Sequence, residues 1–187
     1  MADSNRPGLF IVTASDAAAR RHVAKTIERP VEVEVLNEFA QPGELAMWVA
    51  GGYGSYAWGA VPGVNTQKWD AMEKGDYVVF YQGGEFTFVA RVLAKTRNEN
   101  LAERLWGRAD DGRTWELMFF LSQPSSVSKR RDELADYLQS TPYMGFTRVG
   151  PRWMEKIIED YGTIDAFVSA RFIYANRDLR HMAVACL

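Results

Sequence analysis

Two tryptophans, two tyrosines and five glycines fall between Trp48 and Gly63, and this is the first stretch whose side chains could do chemistry. Aromatic rings offer flat apolar faces on which a planar ligand can stack. Glycine has no Cβ, so a ligand can come close to the backbone N–H and C=O groups. The combination is typical of a pocket for a flat ligand rather than of a simple core strand.

The residues that usually carry catalysis do not form a set. The two histidines, His22 and His181, are far apart in the sequence, and we expect His22 to face solvent because it follows two arginines on a predicted helix. Asp110, Asp111 and Gly112 have the pattern of a turn, which competes with a reading as an acidic metal site. There is no Gly-x-Gly-x-x-Gly motif and no Walker lysine. The sequence therefore favours a binding module without a cofactor or metal over an enzyme.

Composition limits the class of protein. The 187 residues, 47% hydrophobic and 25% charged, predict one globular domain. A net charge of −2 argues against a surface coated in basic charge, although local basic patches stay open. The single Cys186 excludes an internal disulfide and a cysteine-based zinc cluster. Because there is no apolar run of membrane-spanning length and no secretory signal in MADSNRPG, we expect a cytoplasmic protein with no membrane partner.

The hydrophobic pattern predicts four to six strands with helices inserted between them. Strands are predicted over 9–13, 31–35, 45–50, 77–82, 85–95 and 114–122, and helices over 17–27, 66–74, 98–106, 130–139, 153–161 and 163–172. The aromatic, glycine-rich stretch is predicted to be a loop that ends at Gly63. Short connections such as Gly83-Gly84 favour hairpins over parallel crossovers. The predicted class is α+β, with a mixed, barrel-like sheet.

The order of several short motifs between residues 47 and 122 resembles the EVE/YTH branch of the PUA-like superfamily. In chain order these are MWVAGGYG, Trp58-Gly59, Asn65 before a short helix, KGDYVVFY from Lys74, FTFVARVL from Phe86, Trp106 at a helix end, and Trp115-Glu116 in the last strand. The resemblance implies a small mixed β-barrel flanked by helices, with a core at 41–125. Residues 1–40 would then be an N-terminal α/β extension packed on the core, 126–175 C-terminal helices, and 176–187 a loosely held tail.

The same resemblance implies a non-catalytic reader of modified bases. EVE-like domains of similar sequence occur in modification-dependent restriction systems, where they read 5-methylcytosine or 5-hydroxymethylcytosine beside a nuclease or motor. A base flipped out of DNA would then enter an aromatic pocket. The implied base-binding residues are Trp58, Trp106, Tyr53, Tyr56, Asn65, Gly51, Gly52 and Gly59, with Gly54 also able to let the base approach. Asn65 is alternatively a helix cap, and Trp106 a core residue.

Contacts to the nucleic-acid backbone need cations. The candidates are Lys68, Arg91, Lys95, Arg97, Arg108 and Arg113 near the expected pocket mouth, and Lys129 and Arg130, with Arg131, after Pro124. Three alternatives stay open: an RNA reader of methylated adenine, a nuclease on an ASCH-like fold, and a protein-interaction domain that uses the N-terminal segment. Ala50-Gly51-Gly52 replaces a more polar run of YTH domains, which weakens the adenine alternative and leaves cytosine open.

Overall fold

The computed structural model describes residues 6–49, 54–139 and 143–174, and it places eight strands and seven α-helices among them. The strands are β1 (Leu9–Thr13), β2 (Val31–Glu32), β3 (Gly54–Ala60), β4 (Tyr77–Gln82), β5 (Glu85–Arg97), β6 (Leu117–Leu121), β7 (Ser125–Arg130) and β8 (Phe146–Arg148). The helices are α1 (Ala17–Thr26), α2 (Val33–Asn37), α3 (Glu44–Trp48), α4 (Thr66–Asp70), α5 (Glu99–Trp106), α6 (Pro151–Tyr161) and α7 (Ile164–Val168). A 3-10 helix spans Arg131–Leu134, and a π-helical turn spans Ser169–Ile173.

All eight strands belong to one mixed sheet, in the order β2-β3-β6-β5-β4-β1-β8, with β7 also paired to β5. β1 runs parallel to β4, and the other pairs are antiparallel. The prediction of an α+β protein with a mixed sheet is confirmed. The parallel pair of β1 and β4 is joined by the long segment between them, which supplies the crossover that a parallel pair needs.

Strands from the predicted N-terminal extension (1–40) and from the predicted C-terminal segment (126–175) lie in the same sheet as the strands of the predicted core (41–125). β1 from the 1–40 segment sits between β4 and β8, and β8 comes from the 126–175 segment. The division at residues 40 and 125 stays a prediction. Residues 176–187 lie outside the described residues.

The β4–β5 hairpin fixes the centre of the sheet. Both turn residues, Gly83 and Gly84, have positive φ values, of 55° and 99°. A two-residue hairpin turn of this kind needs positive φ at both positions, which glycine adopts without steric cost. β5 then continues far beyond the hairpin, so its first part pairs with β7 and its second part with β6.

Three hydrophobic clusters cover the faces of the sheet. The inner cluster joins α1 to one face and includes Phe10, Trp58, Phe80 and Phe119. A second packs α6 and α7 against the opposite face of β1 and β4. A third packs α3 and α5 against the outer side of β3 and β6. Because side chains alternate along a strand, β3 sends Trp58 to the inner cluster and its neighbour Ala57 to the third.

Four predicted elements were wrong. Where a strand was predicted over 45–50, Glu44–Trp48 form helix α3. Residues 31–35 divide into the two-residue β2 and the start of α2, and residues 130–139 begin with the end of β7 and a 3-10 helix. The predicted loop ending at Gly63 contains β3. A short apolar run such as LAMWV fits a helix or a strand equally well, which explains the error at α3. At β3, pairing with β6 overrides the low strand propensity of glycine.

Candidate functional site

A cavity of about 210 Å³ opens beside Trp58, between α1 and the strands of the inner cluster. Thr13 at the end of β1, His22 on α1, and Trp58 and Gly59 on β3 line it. Asn65, Trp115 and Phe146 complete the wall. A single heterocyclic ring has the size and shape for a space with this many aromatic sides.

Trp58 packs against the core and also lines the cavity. Its side chain is 6% exposed and packs T-shaped against Phe80, with ring centroids 5.1 Å apart and an angle of 87°. Across the sheet it stands opposite Phe119. The indole N–H donates to no acceptor among the described residues. Trp58 is thus a rigid stacking surface with a free hydrogen-bond donor.

His22 lies in the middle of the aromatic residues, so the prediction that it faces solvent was wrong. It is 6% exposed, and its ring centroid is 6.1 Å from Trp58, 5.6 Å from Trp106 and 4.4 Å from Trp115. The preceding arginines are exposed, but His22 turns inward with Thr26 one helical turn later. That i, i+4 spacing was the signal in the sequence that could have placed it.

The charge state of His22 follows from its surroundings. Burial, and after it the nearby charges of Lys25 and Arg21, lower its pKa from 6.5 to about 4, against a smaller opposing effect of Asp16. His22 is therefore a neutral imidazole at neutral pH, with one donor and one acceptor nitrogen. Neither nitrogen makes a hydrogen bond within the described part of the chain.

Two further polar atoms at the cavity have no partner among the described residues. The Thr13 hydroxyl oxygen is buried without a hydrogen bond. Asn65 donates its amide N–H to the Val61 carbonyl at 2.9 Å, which leaves its side-chain oxygen free. Asn65 occupies the N-cap position of α4, as the helix-cap alternative expected, but its side chain makes no capping hydrogen bond. A buried polar group without a partner costs about 1–3 kcal/mol, so the Thr13 hydroxyl is a group that a ligand could complete, while the half-buried Asn65 oxygen is open to the cavity.

Gly59 explains how β3 comes so close to the segment before β6. A Cβ at this position would lie 2.1 Å from the Trp115 carbonyl oxygen and 2.8 Å from the Trp106 ring. Only glycine permits that approach, and it brings Trp115, which is half-buried, to the edge of the cavity. Trp115 packs against the third cluster and also forms part of the cavity wall.

Trp58 and Trp106 line neighbouring cavities rather than one slot. Trp106 borders a second cavity of about 210 Å³, which it shares with Arg21, Lys25, Arg108 and Asp110 among others. His22 and Trp115 line both cavities and form the partition between them. Trp106 is 7% exposed, and its indole N–H already donates to the Thr26 hydroxyl at 3.4 Å.

Of the other predicted base-binding glycines and tyrosines, Tyr56 and Gly54 are described, and neither lines the two cavities. Tyr56 is half-buried on β3 against the inner cluster and lines neither cavity. Tyr53, Gly51 and Gly52 are outside the described residues. Gly54 is the first residue of β3, where a Cβ would lie 2.3 Å from the Val31 carbonyl oxygen, so this glycine serves the pairing of β2 with β3.

All eight predicted backbone-binding cations already have a partner within the protein. The partners are the Phe146 carbonyl for Lys68, Asp165 for Arg91, the Trp69 and Asp70 carbonyls for Lys95, Glu116 for Arg97, Glu99 and Glu103 for Arg108, Asp111 for Arg113, Glu133 for Lys129, and Asp132 for Arg130. Lys68 and Arg108 are the two next to the cavities, since Phe146 lines the first and Arg108 the second. Arg21, which sequence analysis did not select, borders the second cavity without an ion pair to any described residue.

A larger cavity of about 360 Å³ lies at the other side of β1. Its lining includes Leu9, Val149, Met154 and Ile158, with Arg6 and Arg148 at its polar part, and no aromatic side chain takes part. It therefore lacks the rings that a stacked base needs. In residues 6–49, 54–139 and 143–174 there is no group of three or more metal-ligating His, Cys, Asp or Glu side chains, and no helix there is long and apolar enough to cross a membrane.

A solved structure shares this arrangement of strands and helices. It is the N-terminal domain of Thermococcus gammatolerans McrB bound to m5C DNA, with a TM-score of 0.63 and 18% sequence identity over 82% of this chain and 96% of that chain. The chain therefore shares the fold of this McrB domain. The resemblance predicted from the motif order is confirmed at the level of the fold.

The YTH domain of a Zygosaccharomyces rouxii protein in complex with N6-methyladenosine RNA is more distant. It has a TM-score of 0.48 and 14% identity over 83% of this chain and 86% of that chain. No protein-family model and no curated protein sequence matches the chain.

Proposed function

We propose that the protein is a non-catalytic reader of modified DNA, which flips 5-methylcytosine or 5-hydroxymethylcytosine into the cavity beside Trp58. One observation carries the proposal: the aromatic lining of this cavity is combined with polar atoms of Thr13, Asn65, His22 and Trp58 that have no partner in the described part of the chain. A flat heterocycle with a polar edge is the ligand that satisfies both features.

The energies of such a site balance. Taking a base out of a duplex costs a few kcal/mol. Stacking on aromatic faces returns about 1–3 kcal/mol per base, and Trp58 and Trp115 offer those faces. A buried methyl group adds about 0.8 kcal/mol, which is of the size needed to favour a methylated base. Hydrogen bonds to the groups that are unpartnered in the free protein add the remainder.

One consideration favours cytosine in DNA over methylated adenine in RNA: the McrB domain with the same fold is bound to m5C DNA. The cavity offers an acceptor in the Asn65 side-chain oxygen for an amino group, and donors in Trp58 and Thr13 for ring acceptors, which suits an aminated heterocycle of either kind. Phosphate contacts would come from Lys68, Arg108 and Arg21 at the two cavities, each by leaving or extending its present contacts. We place the domain as the specificity module of a modification-dependent restriction system, with the nuclease in a fused or associated partner.

The test is a binding series with four ligands: duplexes with one 5-methylcytosine, one 5-hydroxymethylcytosine or unmodified cytosine, and a single-stranded RNA with N6-methyladenosine. The proposal expects wild type to prefer one of the modified duplexes. Trp58→Ala should abolish the preference, and a control at another tryptophan outside the cavity, Trp153→Ala, should keep it. A preference for the RNA would transfer the role to methylated RNA, and equal affinity for all duplexes would refute the proposal.

Thr13→Val is a sharper variant because it removes only the unpartnered hydroxyl. A valine side chain has nearly the same shape, so the unfolding free energy should stay the same or rise, because a buried group without a partner is lost. Affinity for the modified duplex should fall about 2- to 12-fold, from a hydrogen bond of about 0.5–1.5 kcal/mol. The matched control is Thr147→Val on the neighbouring strand β8, which leaves the affinity unchanged. Lost stability with unchanged affinity would show that the hydroxyl serves the fold and not a ligand.

A further inference from the structure

His22 is the most buried titratable side chain at the cavity, and its ring nitrogens have no partner within residues 6–49, 54–139 and 143–174. The side chain is 6% exposed, and it lines both cavities. Histidines buried for structural reasons normally satisfy at least one nitrogen with a hydrogen bond. The His22 imidazole packs among indoles at the wall of both cavities, so its nitrogens are available to a ligand there.

Three indoles hold the His22 ring in one orientation. Trp115 meets it T-shaped at 4.4 Å, Trp106 lies stacked at 5.6 Å with an angle of 30°, and Trp58 lies at 6.1 Å. A ring fixed on several sides can offer a hydrogen bond without losing much conformational entropy on binding. The same contacts place it next to Trp58, the proposed stacking surface.

Burial and the nearby cations favour the neutral form of His22. Arg21 and Lys25 lie beside it on α1, Arg108 borders the second cavity, and the opposing carboxylates are Asp16 and Asp110. Burial and the first two cations lower the pKa of His22 to about 4. A neutral imidazole has both a donor and an acceptor, whereas an imidazolium could only donate.

We propose that His22 is a specificity-determining residue, which hydrogen-bonds as the neutral imidazole to the edge of the base held beside Trp58. This inference rests on the proposed function of that cavity. With Asn65 offering an acceptor on the same cavity, the two side chains match an edge that carries an amino donor next to a ring acceptor, as an aminopyrimidine does. A base with a carbonyl in place of the amino group would leave one of these groups unpaired.

Three variants separate hydrogen bonding from packing. His22→Phe keeps an aromatic ring of similar size and loses both nitrogens. His22→Asn places an amide near the position of Nδ1, and His22→Gln places one near the position of Nε2. Affinities of all three and of wild type are measured for the duplex that wild type prefers, for its unmodified counterpart, and for a duplex with thymine at the same position. Thermal unfolding of each variant confirms that it is folded.

His22→Phe should bind the preferred duplex about 5- to 100-fold more weakly, since removal of one partner leaves a buried base atom unsatisfied. It should also lose discrimination against thymine. One amide variant should retain most of the affinity and discrimination, and it identifies the nitrogen that makes the contact. A purely structural role would not give such a rescue.

A spectroscopic readout reports on the ring itself. The chain has only two histidines, so ¹⁵N-histidine labelling gives few ring signals, and the His22→Phe spectrum assigns them. Addition of the preferred duplex should shift the His22 nitrogen that forms the hydrogen bond, and the unmodified duplex should shift it less.

The experiments separate failure of the proposed role of His22 from failure of the proposed function. If wild type does not discriminate between modified and unmodified duplexes, the proposed function is lost. If wild type discriminates but His22→Phe binds and discriminates equally well, only the role of His22 is refuted. An equal loss in all three folded variants, without a ¹⁵N shift in wild type, would also refute it, because packing alone explains that pattern.

Discussion

Acidification from pH 7 to pH 5 should destabilise the wild-type protein by about 2 kcal/mol more than it destabilises His22→Gln. In the folded protein the pKa of His22 is about 4, while in the unfolded chain it returns to about 6.5. Between these values the unfolded chain binds a proton that the folded protein does not, so stability falls as the pH falls. Each pKa unit corresponds to about 1.36 kcal/mol, which gives about 2 kcal/mol by pH 5 and about 3 kcal/mol by pH 4.

The variant is needed because other groups titrate in the same range. Asp111, Asp132, Glu133 and Asp160 have pKa values lowered mainly by hydrogen bonds, and they too favour the folded state less as the pH falls. Their effect is common to both proteins and cancels in the difference, while glutamine at position 22 does not titrate.

The assay is urea unfolding of both proteins at pH 7 and pH 5, with the free energy extrapolated to water. Because burial is the largest cause of the lowered pKa, most of the difference should persist in 0.5 M salt, where the effect of Lys25 and Arg21 is screened. Equal pH dependence in the two proteins would show that His22 is solvated, and the neutral imidazole on which the site depends would be wrong.

Two further substitutions test the packing that positions the site. Gly59→Ala should lower the unfolding free energy by about 1–3 kcal/mol, because the new Cβ would lie 2.1 Å from the Trp115 carbonyl oxygen. The control is Gly150→Ala, which has open space around it and should change the unfolding free energy far less. Urea unfolding compares the two variants, and equal losses would contradict the close approach at Gly59. Asp76→Asn should lower the unfolding free energy by about 2 kcal/mol. The buried Asp76 side chain accepts hydrogen bonds from the backbone N–H groups of Gly8, at 2.6 Å, and of Glu73, one on each oxygen, and an asparagine side chain has only one oxygen to accept them. Unchanged thermal stability would show that these bonds do not stabilise the fold.

The local sequence pattern was enough to predict a secondary-structure element wherever one signal dominated. The run from Tyr77 to Gln82, the Gly83-Gly84 turn, and the helix capped by Asn98, whose side chain accepts the Leu101 N–H at 2.9 Å, were all predicted and confirmed. Each depends on interactions within a few residues. Residues 45–50 could not be predicted in the same way, since a short apolar run suits either type of element until its neighbours are known.

In the candidate site, too, some residues could be predicted from the sequence and others could not. Composition and motif order were enough to point to an aromatic pocket with Trp58 and Asn65, and both line one cavity. His22, Thr13 and Trp115 come from separate parts of the chain, and nothing local marks them as neighbours.

The sequence by itself determined the strong strands, the capped helix, the α+β class and the aromatic character of the site, because these follow from side-chain type and short-range spacing. Only the tertiary structure decided that β1 runs parallel to β4, that His22 meets the indoles of Trp106 and Trp115, and that Trp58 and Trp106 border separate cavities. Those outcomes depend on contacts between residues far apart in the chain, where burial and steric fit, as at Gly59, outweigh local preference.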